Sequence, residues 1–158
     1  MWPNWSPSEI LKANRVDYEI IEGISRADVA FRVRGRDPAE LFSAGARAVI
    51  SIMLQNPETI RQETEIVIEC EAPELDLLYY DFLSEFIFYK DSGRLLLVPE
   101  TVAIETAPGG YHLSCRARGE PIDRNRHIFK VDIKAITLHR LQVSNENDAW
   151  QATAVADV

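Results

Sequence analysis

The chain has 158 residues, 46% of them hydrophobic, and carries 25 acidic against 17 basic side chains for a net charge of -8. That length and apolar content suffice for one globular core without staples, and no apolar run approaches the roughly 20 residues of a membrane span. A surface of this sign repels phosphate backbones unless a local basic patch intervenes, and it suits a basic protein partner better.

Residues 1–16 show no clear period and are read as an extension, leaving 17–158 as a single domain. The opening Met1-Trp2-Pro3-Asn4-Trp5 lacks the basic and apolar regions of a secretory signal, so a cytoplasmic protein without membrane association is expected. From Asp17 to Ile21 and from Asp28 to Val33 apolar and polar residues roughly alternate, the period of half-buried strands. Asp37-Pro38-Ala39-Glu40 then starts a helix: Asp37 caps a free N–H, Pro38 needs no donor, and Glu40 reaches back. Leu41, Phe42, Ala48, Val49, Ile52 and Met53 give its apolar stripe, which predicts a helix to about Gln55, before Pro57.

Glu63 to Glu71 alternates, with Ile66, Ile68 and Cys70 on one face. After Pro73, Leu75, Leu78, Tyr79, Phe82, Phe86 and Tyr89 keep helical spacing, while Leu77, Tyr80, Leu83, Ile87 and Phe88 widen the apolar surface beyond one stripe. A central helix, largely covered, follows. Pro108-Gly109-Gly110 marks a turn inside a hairpin from Thr101 to Arg118. The polar stretch Gly119 to His127 is a functional-loop candidate, in which Arg124, Arg126 and His127 form a small cation patch.

Two strands close the chain, Val131 to Ser144 and Trp150 to Asp157, joined by Asn145-Glu146-Asn147-Asp148. In the first, Ile133, Ala135, Thr137, His139, Leu141 and Val143 are expected to share a face. The predicted architecture is α+β: a mostly antiparallel β-sheet with two long α-helices packed against it.

Chemistry concentrates at few places. Asp157-Val158 sets an aspartate beside a terminal carboxylate, two oxygen donors of the kind hard divalent cations seek. The alternative is a frayed, solvated end. Asp28 is a lone carboxylate in an otherwise apolar strand, and pairing of first and last strands brings the three carboxylates together. His127 is read either as an exposed loop histidine or as a phosphate or proton-transfer group. His139 is read as a strand or core histidine or as a ligand, and Lys134 as a snorkelling surface lysine or as the partner of a carboxylate or phosphate. Cys70 and Cys115 each alternate with apolar neighbours and read as reduced, packed thiols. Phosphate-cradling glycine loops, His-Glu-x-x-His and Gly-x-Ser-x-Gly are all missing from the sequence, which lowers the odds of a self-sufficient enzyme.

Several segments in order carry a resemblance: Tyr18-Glu19-Ile20-Ile21-Glu22, Ala27-Asp28-Val29, Asp37-Pro38-Ala39-Glu40-Leu41-Phe42 and Leu75-Asp76-Leu77-Leu78. Gly119-Glu120-Pro121-Ile122-Asp123, His127, Ile133-Lys134-Ala135-Ile136-Thr137-Leu138-His139-Arg140-Leu141 and Ala154-Val155-Ala156-Asp157-Val158 continue it. Together they resemble the archease family. The resemblance implies a small cytosolic accessory protein that promotes guanylylation and multiple turnover of a GTP-dependent RNA ligase in tRNA splicing and RNA repair. Contact with tRNA or RNA would be indirect, through that ligase. It also implies a divalent metal site, calcium or magnesium, at Asp28, Asp157 and Val158, with Lys134, His127 and His139 as candidates facing the partner or its nucleotide. Where the family usually has His-Thr-Ala-Asp-Val-Gly, this chain has Ser25-Arg26-Ala27-Asp28-Val29-Ala30, and Leu138 replaces a frequent tyrosine. Two other readings stand beside it: a metal-dependent phosphoester or nucleotide-processing enzyme, and a chaperone-like binding module whose metal is only a clip.

Overall fold

Local signals become nine elements among the described residues, which are 18–21 and 27–158 of this computed structural model. The extension 1–16 and the replaced positions Ser25 and Arg26 lie outside them. The strands are β1 (Tyr18–Ile21), β2 (Asp28–Gly35), β3 (Thr64–Ala72), β4 (Leu95–Ala107), β5 (Gly110–Pro121), β6 (Ala135–Glu146) and β7 (Ala149–Asp157). The helices are α1 (Pro38–Met53) and α2 (Leu75–Gly93), with a short 3₁₀ turn at Pro57–Thr59. Two antiparallel sheets result, ordered β1-β2-β7-β6 and β3-β5-β4, so the architecture is α+β.

α1 starts as its sequence dictates: Asp37 Oδ1 accepts the Glu40 N–H at 2.8 Å. Glu40 reaches past the cap to the Arg36 N–H at 3.2 Å, pinning the chain entering the helix. The helix stops at Met53 rather than Gln55, because the backbone turns to pair with the 128–130 segment: Gln55 N–H donates to Ile128 C=O at 2.8 Å and Lys130 N–H to Met53 C=O at 2.7 Å. Leu41, Phe42, Ala46, Val49 and Met53 on α1 pack with Tyr79, Phe82 and Phe86 on α2 and with Phe31 and Val33 on β2 to form one core. Gly45 is required there, since a Cβ would lie 2.3 Å from the hydroxyl of the buried Tyr79.

β3 keeps the predicted alternation, with Ile68 and Cys70 buried and Glu65, Val67, Glu69 and Glu71 exposed. β4 begins at Leu95, as the strand character of Leu95 to Thr106 predicts, and bulges between Pro99 and Thr101. Gly109, with φ of 81°, makes its turn. Burial raises the thiol pKa values of Cys70 and Cys115 to about 12, so both are inert packed thiols.

Two expectations are corrected. α2 is not covered all round: Leu78, Tyr79, Phe82, Leu83 and Phe86 are buried, whereas Leu77 and Phe88 are 37% and 56% exposed. The predicted common face of Ile133 to Val143 is also broken. β6 starts at Ala135, and between the pairs Thr137–Val155 and Gln142–Thr153 it takes five steps against two on β7. Three extra residues invert the side-chain parity, so Ile136 is buried on one side of the bulge and Val143 packs on the core after it, while Ala135 and His139 are exposed. Arg140 supplies the reversal with φ of 57°. At the other end of β6, Asn147 and Asp148 (φ 53° and 61°) form the tight turn into β7.

Candidate functional site

β7 is a central strand, and its last residues are fixed from both sides. Asp28 on β2 stands directly opposite Asp157, and Ala135 on β6 stands opposite it on the other flank. Lys134 N–H donates to Asp157 C=O at 2.7 Å, and Val158 N–H donates to Ala27 C=O at 2.8 Å. The frayed-end alternative therefore does not describe this terminus. Residues directly opposite on neighbouring strands carry their Cβ atoms about 5 Å apart on the same face, and like charges so placed are destabilising. The register thus sets two half-exposed carboxylates opposite each other.

Oxygen donors on two facing strands suit a hard cation. Among the described residues no three His, Cys, Asp or Glu side chains converge on one point, and Asp28 with Asp157 supplies two donors. The donor set fits calcium or magnesium in chemistry.

The other candidates separate. Lys134 is exposed, its backbone in contact with Asp157. His139 is exposed on the β6 bulge. His127 is 2% exposed, and the expected exposed loop histidine is a core residue. Its Nδ1 accepts the Asp123 N–H at 2.9 Å, which puts the ring proton on Nε2, 3.0 Å from Glu120 Oε2. Both ring nitrogens are engaged.

The expected cation patch of Arg124, Arg126 and His127 is instead taken apart. Arg126 forms a two-pronged pair with Glu120, through Nη1 to Oε2 at 2.6 Å and Nη2 to Oε1, and Nη1 also donates to Thr59 C=O at 2.8 Å. Arg124 lies over the Phe129 ring at 4.9 Å. Glu120 accepts a further bond from the Arg61 N–H at 2.7 Å. The Arg126 hydrogen bond leads in lowering the Glu120 carboxyl to about 2; burial opposes it, and the Arg61 and His127 bonds add to it. Asn56 clips the loop from the other side, donating to Arg126 C=O and accepting from Ile128 N–H, both at 2.9 Å. This cluster is a satisfied structural network.

Sequence reasoning missed Glu120 as its hub. Strict alternation along β5 sends Glu120 to the outward face with Arg116 and Arg118, and the returning 122–129 loop and the Arg61 backbone cover it. The usable signal was a carboxylate followed six and seven residues later by Arg126 and His127 in one polar segment.

The profile of the Archease protein family matches residues 18–158. The chain belongs to the archease family. Relatives named "Protein archease" include one from Pyrococcus furiosus, 35% identical over 133 residues covering 84% of this chain and 93% of the relative. Another, from Methanopyrus kandleri, is 33% identical over 132 residues, covering 84% and 94%. Among solved archease-like folds, a Methanobacterium thermoautotrophicum protein in solution superposes with a TM-score of 0.77 at 27% identity, covering 89% of this chain and 98% of the other. A Thermotoga maritima crystal structure, described as an archease and possible chaperone, gives a TM-score of 0.60 at 20% identity, over 89% and 98%. Among the described residues no helix is long and apolar enough to cross a membrane.

Proposed function

We propose that this archease is a cytoplasmic accessory protein for a GTP-dependent RNA ligase, promoting the ligase's guanylylation and multiple turnover in tRNA splicing or RNA repair. RNA is reached only through the ligase. What carries the reading is family membership across 18–158 joined to the in-register pair Asp28 and Asp157. With the Val158 carboxylate, that pair would hold calcium or magnesium, which supplies charge neutralisation and positioning at the partner's site. The protein's own contribution is a rigid mount. Asp157 is fixed between β2 and β6, Val158 is tied to Ala27, and the exposed Lys134 lies at the same end of the sheet, with His139 further along on the β6 bulge. His127 contributes indirectly, by holding the 122–129 loop.

The test is single-turnover guanylylation of the host's RNA ligase with GTP, with and without the protein. Faster guanylylation that Asp157→Asn abolishes supports the reading, and no stimulation by the wild type rejects it.

A second reading, a chaperone-like module whose metal is only a clip, is favoured by the words "possible chaperone" attached to the Thermotoga maritima structure. It expects Asp157→Asn to lower stability in the presence of metal while ligase stimulation survives. One pair of assays separates the two.

A further inference from the structure

A buried hydroxyl stands on the same face of the sheet as the two facing carboxylates. Thr137 Oγ1 is shielded from solvent and has no hydrogen-bond partner among the described residues. A buried donor left unpaired costs stability, and a valine of nearly the same shape would fill this place without that cost. Packing alone gives no reason for the hydroxyl.

The strand register shows what lies next to it. On the outward face, Ala135, Asp157 and Asp28 form one row across β6, β7 and β2, and Thr137, Val155 and Ala30 form the next. The opposite face, with Ile136, Ala154, Ala156 and Phe31, is the core. Val155 and Ala30 are each 1% exposed, so the row of Thr137 is dry and otherwise apolar. In the carboxylate row, Ala135 offers only an exposed methyl on the β6 side of Asp157.

Thr137 and Asp157 are thus diagonal neighbours on one face. Such neighbours lie about 7–8 Å apart, a gap that an aspartate and a threonine side chain bridge directly or through one water. The other diagonal neighbour on β7 is Thr153, at which the β6 bulge breaks the register. An ionised acceptor makes the stronger hydrogen bond, the more so in a dry setting, which favours Asp157 over Thr153.

We propose that Thr137 is a positioning residue of the Asp28 and Asp157 pair. In the cation-bound protein its hydroxyl donates to the Asp157 carboxylate, directly or through one water, and fixes the direction in which that carboxylate turns. This role rests on the calcium or magnesium reading of the pair and adds the side chain that orients it. Hydrogen bonds to ligating carboxylates are worth about 10–100-fold in metal affinity.

The experiment is calorimetric titration of calcium chloride, and separately magnesium chloride, into the chelator-stripped full chain, with melting temperatures of the metal-free protein measured in parallel. Thr137→Val is expected to weaken binding about tenfold or more while the metal-free melting temperature stays equal to or above that of the wild type. Thr137→Ser, which keeps the hydroxyl, is expected to stay near wild-type affinity, and Thr153→Val to bind as the wild type does. Wild-type affinity in Thr137→Val overturns the role, and a lowered metal-free melting temperature beside it assigns the hydroxyl to the fold alone. A serine variant as weak as the valine variant, or an equal loss in Thr153→Val, traces the effect to the sheet face at large and also overturns it. Asp157→Asn that abolishes binding while Thr137→Val leaves it intact keeps the cation reading and removes Thr137 from it. A wild type that binds neither ion rejects the cation reading and the role of Thr137 together.

Discussion

Two acidic clusters in this molecule use similar residues to opposite ends. Around Glu120 a carboxylate is 2% exposed and saturated by a guanidinium, an imidazole and a backbone N–H. At Asp28 and Asp157 two carboxylates face each other half-exposed at the end of a sheet. The first is a satisfied network that contributes to stability; the second sets two carboxylates in register at a partly open sheet end, which is where a function is to be sought.

The contrast breaks most visibly under truncation. Glu120→Ala strands Arg126, His127 and the Arg61 N–H, and should cost about 3–5 kcal/mol in urea denaturation. Asp157→Asn without metal should change stability by less than about 1 kcal/mol, since it removes a like-charge contact. Comparable losses in both variants would erase the distinction.

Metal sharpens it next. Calcium or magnesium at about 100 times its Kd should stabilise the wild type by about 2.7 kcal/mol. Asp28→Asn, Asp157→Asn, or residues appended after Val158 should remove most of that gain, read as a melting shift. Full retention in the extended chain would take the Val158 carboxylate out of the ligand set.

Acid probes the Glu120 cluster. Glu120 lies at about 2 in the folded protein against an ordinary value of 4.5, so its contribution is complete above about pH 4.5 and is lost as the pH falls toward 2. Glu120→Gln should flatten this limb of the stability profile.

The smallest structural effect is expected at His139. It is exposed on the bulge, so His139→Ala should shift stability by no more than about 0.5 kcal/mol. Slower ligase guanylylation in that variant would mark His139 as partner-facing; an unchanged rate would leave it a surface residue.

The sequence by itself determined everything set by neighbours along the chain. Asp37 caps α1 because its side chain reaches an N–H three residues on, and Ile68 and Cys70 share a face because strand period is two. Asn147 and Asp148 turn the last hairpin because they tolerate positive φ. The family was legible for the same reason, as ordered short segments. Only the tertiary structure decided three things. It set Asp28 opposite Asp157, a register fixed by which strands pair. It inserted three residues into β6 and so exposed His139. And it folded the 122–129 loop over Glu120, turning a predicted cation patch into a neutralised core network. Each depends on contacts between residues distant in sequence, and no local period records those.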